Sequence, residues 1–171
     1  GKIERVPMLR GRITALKDMA AETIRADEKV AWVLEGDRGL TFAEAPPAGS
    51  KLTDGTWWPA GYTGPPLVSF EAEIAQSLGL KIGDRVTVNV LGRNLTATIA
   101  NLRKVEWQSL GINFVMVFSP NTFAGAPYSN LATLSFPSPV GDRAEAQVLK
   151  AAAAAFPSVS SIRVKEALQT I

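Results

Sequence analysis

The sequence predicts an α+β protein in which a discontinuous ferredoxin-like lobe is interrupted by a small β-rich lobe carrying one helix. Three observations lead there. Short apolar runs with period-two alternation crowd the first two-thirds of the chain, and one Ala-rich stretch, Asp142–Phe156, has helical character throughout. That stretch lies between strand-like Asn130–Phe136 and Ser158–Val164, a β-α-β unit that is half of a ferredoxin-like split fold. The other half must come from N-terminal strands. The chain therefore partitions into one lobe of residues 1–52 plus 129–171 and an inserted lobe of residues 53–128.

Taken in order, Met8–Leu16 alternates as a strand, and Asp18–Lys29 reads as a short charged helix or loop. Val30–Leu34 is a compact apolar strand. The turn Glu35–Gly39 joins it to Leu40–Phe42, so a hairpin is expected. Ala45–Ser50 (APPAGS) is a linker by composition, and Gly55–Pro66 a loop rich in Gly, Pro and aromatics. A short helix follows, with Ser69 as the expected N-cap, Glu71 and Glu73 in its first turn, and Phe70, Ile74 and Leu78 on one face. Gly79 stands where a left-handed C-cap is wanted.

Beyond it, Ile82-Gly83-Asp84 turns the chain into the alternating strand Arg85–Leu91. Gly92-Arg93-Asn94 forms a hairpin turn, and the return strand runs from Leu95 toward Trp107. Ile112–Phe118 is a near-continuous apolar strand, the centre of a small sheet or partial barrel, stopped by Ser119-Pro120. Pro137–Gly141 is a loop, and a last helix begins at Lys165.

Composition narrows the function. With 46% apolar and 20% charged residues, the chain is an ordinary globular one, and a net charge of +2 without a dense basic run argues against nucleic acid as a partner. Cysteine and histidine are both absent. The usual zinc sites and Ser-His or Cys-His nucleophile systems therefore cannot be built, and no cofactor, metal or enzymatic activity is expected. Ser69, Ser109 and Ser119 lack a Gly-x-Ser-x-Gly setting and a base other than lysine, so they are rejected as nucleophiles. No run of apolar residues is long enough to span a bilayer. The strand-like start without Met and the end inside a helical pattern read as a segment of a longer protein.

Trp57, Trp58 and Tyr62 are the candidate partner or ligand contacts: an aromatic platform, or anchors closing one end of the β-rich lobe. Arg10 and Arg12 flank Gly11 as an anion site or as the solvated face of an edge strand. Arg103 and Glu106 read as a surface pair. The amides of Gly79–Asp84 form a helix-to-strand connector rather than an anion cradle, because no helix N-terminus faces them.

The order PMLRGRITAL, DRGLTF, WWPAGYTGPPLVSFEAEIAQSLGLKIGDRVTVNVLGRNLTATIANLRKVEW and GINFVMVFSP resembles the extracytoplasmic domain of FtsX-like (MacB-type) ABC transporter permeases, in particular the YbbP-like branch. The resemblance covers most of residues 7–136, with Trp57–Pro120 as its specific block. It implies a porter-type lobe interrupted by a β-rich one, held on the periplasmic side of the inner membrane between the first two transmembrane helices. It also implies a cytoplasmic ABC ATPase subunit acting through those helices, and a periplasmic partner protein or lipophilic substrate on the outer side. The implied role is mechanical relay in lipophilic-compound export or envelope maintenance. The resemblance also implies that a complete porter lobe opens with a further strand and helix, which are expected before the first residue here. The alternative reading is a stand-alone periplasmic peptide- or lipid-binding module.

Overall fold

A computed structural model describes residues 2–106, 112–135, 141–155 and 160. It contains strands β1 (Lys2–Leu16), β2 (Met19–Ala20), β3 (Arg38–Phe42), β4 (Ser50–Gly55), β5 (Leu67–Glu71), β6 (Arg85–Val90), β7 (Arg93–Val105), β8 (Met116–Phe118) and β9 (Ser129–Ser135). Its helices are α1 (Ala72–Ser77) and α2 (Asp142–Ala155), with single-turn 3-10 helices at Ala21–Thr23, Ala31–Leu34 and Pro120–Phe123.

By compactness the chain divides into a unit of Gly1–Glu4 with Thr133–Ile171 and a unit of Arg5–Ala132. This differs from the partition read from sequence, which gives residues 5–52 to the first lobe. The physical reason lies in the ladders. β1 pairs with β3 and β6, β3 with β8, β8 with β5, β5 with β7, and β7 with β6. Among the described residues these six strands close on themselves, so strands of the first 52 residues complete a barrel with those that follow. Closure removes sheet edges, and the inward side chains fill the interior. Leu9, Ile13, Leu40, Val68, Phe70, Val86, Val88, Ile99, Met116 and Phe118 are all buried. β4, which the linker composition of Ala45–Ser50 conceals, pairs with the far half of β7.

Several local expectations need correction. Val30–Leu34 is not a strand: Ala31–Leu34 forms a 3-10 turn that buries Val33 and leaves Trp32 exposed, so no hairpin joins it to β3. Ser69 does not cap α1. It lies buried in β5, and Glu71 is the N-cap, its carboxylate accepting from the Ile74 amide at 2.7 Å. At the other end Gly79 takes φ +70°, with Leu80 N–H donating to Ala75 O and Gly79 N–H to Gln76 O, a Schellman closure. The β6–β7 hairpin turns on Leu91-Gly92, both at positive φ, rather than on Gly92–Asn94. β8 begins at Met116, not Ile112.

β1 is flanked by strands on both sides at Gly11, so it is no edge strand there. A Cβ on Gly11 would fall 2.7 Å from Asn89 O and 2.8 Å from Val90 Cγ2. In the C-terminal unit α2 follows the expected span to within one residue, while Ser158–Val164 and Lys165–Ile171 lie outside the described residues.

Candidate functional site

Loop 56–66 leaves β4 and enters β5, and its aromatic residues fix its path. Trp58 is buried and donates its indole N–H to Ala43 O at 2.9 Å. Trp57 is half-buried and donates to Glu44 O at 2.8 Å, with the two ring centroids 4.1 Å apart. Together they staple the loop to the segment that leaves β3. Tyr62 acts separately: its hydroxyl donates to Pro65 O at 2.7 Å, and its ring packs over Gly64, where a Cβ would meet that hydroxyl at 2.5 Å unless the ring shifted. Asn121 reaches in from the turn after β8 and donates to Gly64 O. The structure thus brings Trp57 and Trp58 together, engages all three polar handles with backbone carbonyls, and leaves part of Trp57 and Tyr62 at the surface.

A second constellation was not legible as a site. The sequence pairs Arg103 with Glu106 at the surface, whereas Arg103 is 1% exposed. Its guanidinium donates to Ser69 O at 2.7 Å, to Ser69 Oγ at 3.2 Å and to Phe114 O. Glu71, equally buried, lies opposite Arg103 in the β5–β7 register. Burial lowers the Arg103 pKa to about 10, the Glu71 charge opposing that shift, so the side chain is still cationic at neutral pH. A planar guanidinium suits this position because its several donors can bind several strands at once. The signal lay in LVSFE: Ser69 and Glu71, two residues apart, put polar groups on one face of an otherwise apolar strand. Asn101, also fully buried, donates to Thr56 O and ties β7 to the start of the aromatic loop.

The serines have structural duties. Ser69 accepts from Arg103, Ser119 accepts from the Leu67 amide at 3.1 Å, and both are fully buried. Ser109 lies outside the described residues. Asp84 holds the connector by accepting from the Lys81 amide.

No protein-family model matches the chain, and no solved structure matches it. The chain is 32% identical over 127 residues to the Escherichia coli (strain K12) protein named "Uncharacterized ABC transporter permease YbbP". The similarity is to one part of that permease. The aligned part is 74% of this chain but 15% of that protein, so the chain spans a small fraction of its relative's length. Among the described residues, no helix is long and apolar enough to cross a membrane.

Proposed function

We propose that this domain is the extracytoplasmic module of an FtsX-like ABC permease, standing on the periplasmic side of the inner membrane. It relays ATP-driven motion of the transmembrane helices to a partner protein or lipophilic substrate, in export or envelope maintenance. A cytoplasmic ABC ATPase subunit supplies the stroke, and the domain itself is non-enzymatic.

The observation that carries this reading is the alignment of three-quarters of the chain with a small portion of a permease. The architecture supports the mechanical part. In a closed barrel, one strand cannot slide without breaking ladders on both of its sides. Arg103 adds hydrogen bonds from β7 to β5 and to the segment entering β8. Such a body transmits displacement as a unit.

The test uses the full permease with its ATPase subunit. Energy transfer between a label on Thr63→Cys and a label on the ATPase subunit is expected to change when ATP binds. Two labels inside the Arg5–Ala132 unit, on Thr63→Cys and Glu28→Cys, are expected to keep their separation. An ATP-independent signal in the first pair would overturn the relay.

A further inference from the structure

Gly11 of β1 pairs with Arg38 of β3 and with Val90 of β6, so those two strands occupy opposite edges of β1. Ala15 and Leu16 pair with β2 and with β6, so β2 and β6 are likewise on opposite edges. It follows that β2 and β3 share one edge of β1, separated by Arg12, Ile13 and the bulged Thr14, which pair with no strand there in the registers of β2 and β3 among the described residues. The chain between β2 and β3 swings outward and leaves an open groove of about 690 Å³ over this gap, within the Arg5–Ala132 unit. Its floor is apolar, with Ile13 buried and Ile24 and Leu34 partly so. Its rim carries four exposed charges: Arg12, Glu22, Arg25 and Glu35. Among the described residues, none of the four makes an ion pair or a side-chain hydrogen bond.

We propose that this groove is a strand-addition site for an extended peptide segment of a partner protein, one that carries both acidic and basic side chains. An unpaired stretch of strand presents main-chain donors and acceptors in a row, which another extended backbone satisfies and a hydrocarbon tail does not. Rim charges of both signs, unpaired among themselves, complement a segment of mixed charge and would repel part of any purely anionic or cationic ligand. The gap of three residues is roughly 10 Å of ladder at about 3.3 Å per residue, room for a short strand only. The flanking β2 and β3 block longer pairing, which guards the edge against indiscriminate association. The site stands independently of the permease reading, because it rests on ladder geometry and charge alone.

The test is a nuclear magnetic resonance titration of the 171-residue chain with two blocked pentapeptides, acetyl-Val-Glu-Val-Lys-Val-amide and acetyl-Val-Lys-Val-Glu-Val-amide. At least one is expected to shift the amides of Arg12–Thr14 and of the groove walls, and to slow hydrogen exchange at the gap. N-methylation of the peptide on alternate amides of one parity is expected to weaken binding about tenfold, through lost hydrogen bonding to β1 and the clash of the methyl groups with it, and of the other parity far less. Arg25→Ala, at an exposed position, is expected to weaken it about two- to fivefold. The proposal is overturned if neither peptide perturbs Arg12–Thr14, or if both methylated forms bind as well as the parent. Dodecyl maltoside occupying the groove while both peptides leave it silent would replace the peptide with a lipophilic ligand.

Discussion

The barrel wall where β5, β7 and β8 meet and the excursion between β2 and β3 use charge in opposite ways. In the wall, Arg103 and Glu71 are buried, and the guanidinium binds backbone and hydroxyl oxygens of two other segments. Around the excursion, Arg12 of β1 and Glu22, Arg25 and Glu35 of the excursion itself stand exposed at the rim of a groove, with no partner among the described residues. A charge taken out of water must be satisfied internally, so it fixes the strands around it. A charge left in water fixes nothing and is free to meet something else. The difference separates the part of the molecule that holds shape from the part that is open to contact.

The sharpest way to break this comparison is Arg103→Ala. It removes the hydrogen bonds to Ser69 and Phe114 and leaves Glu71 buried without a counter-charge. A loss of about 3–5 kcal/mol is expected by urea unfolding. A loss below about 1 kcal/mol would mean the buried network is not what secures the wall.

Next comes Trp58→Ala, which empties a buried site and orphans Ala43 O, and is expected to cost about 3 kcal/mol. Trp57→Ala, half-exposed, should cost clearly less, and equal losses would show that the two rings act as one unit. A smaller effect of opposite sign is expected at the β6–β7 tip. Leu91 is 70% exposed at φ +52°, so Leu91→Asn should raise stability by about 0.5–1 kcal/mol in the same assay. Smallest of all is Arg25→Ala in the excursion, expected to stay within about 0.5 kcal/mol of the parent.

Where a feature depends on local pattern, the sequence shows it. α2 follows from Ala propensity, β6 and the return strand β7 from strict alternation, the α1 C-cap from Gly79, and the loop bond of Asp84 from its position after Gly83. Where a feature depends on which strands meet, the sequence is silent. Ser69 satisfies an N-cap pattern, and only the run of β5 through Glu71 moves the cap two residues on. Arg103 looks like a surface residue until β5 is laid beside β7 in register. Val30–Leu34 is as apolar as a strand, yet it packs Val33 inward from a single 3-10 turn. The aromatic loop was visible as a cluster, but the backbone carbonyls that receive its N–H and O–H groups were not. The groove over Arg12–Thr14 could not be read at all, since it is defined by where β2 and β3 stop.

The central claim is that this domain faces outward from the inner membrane as part of a permease. Because the chain contains no cysteine, Thr63→Cys, exposed on the aromatic loop, gives it a single thiol. In the full permease with any other cysteines replaced, this thiol is expected to react with a membrane-impermeant maleimide in intact spheroplasts, as fully as after lysis. Protection in intact spheroplasts with full labelling after lysis would place the domain in the cytoplasm and contradict the account.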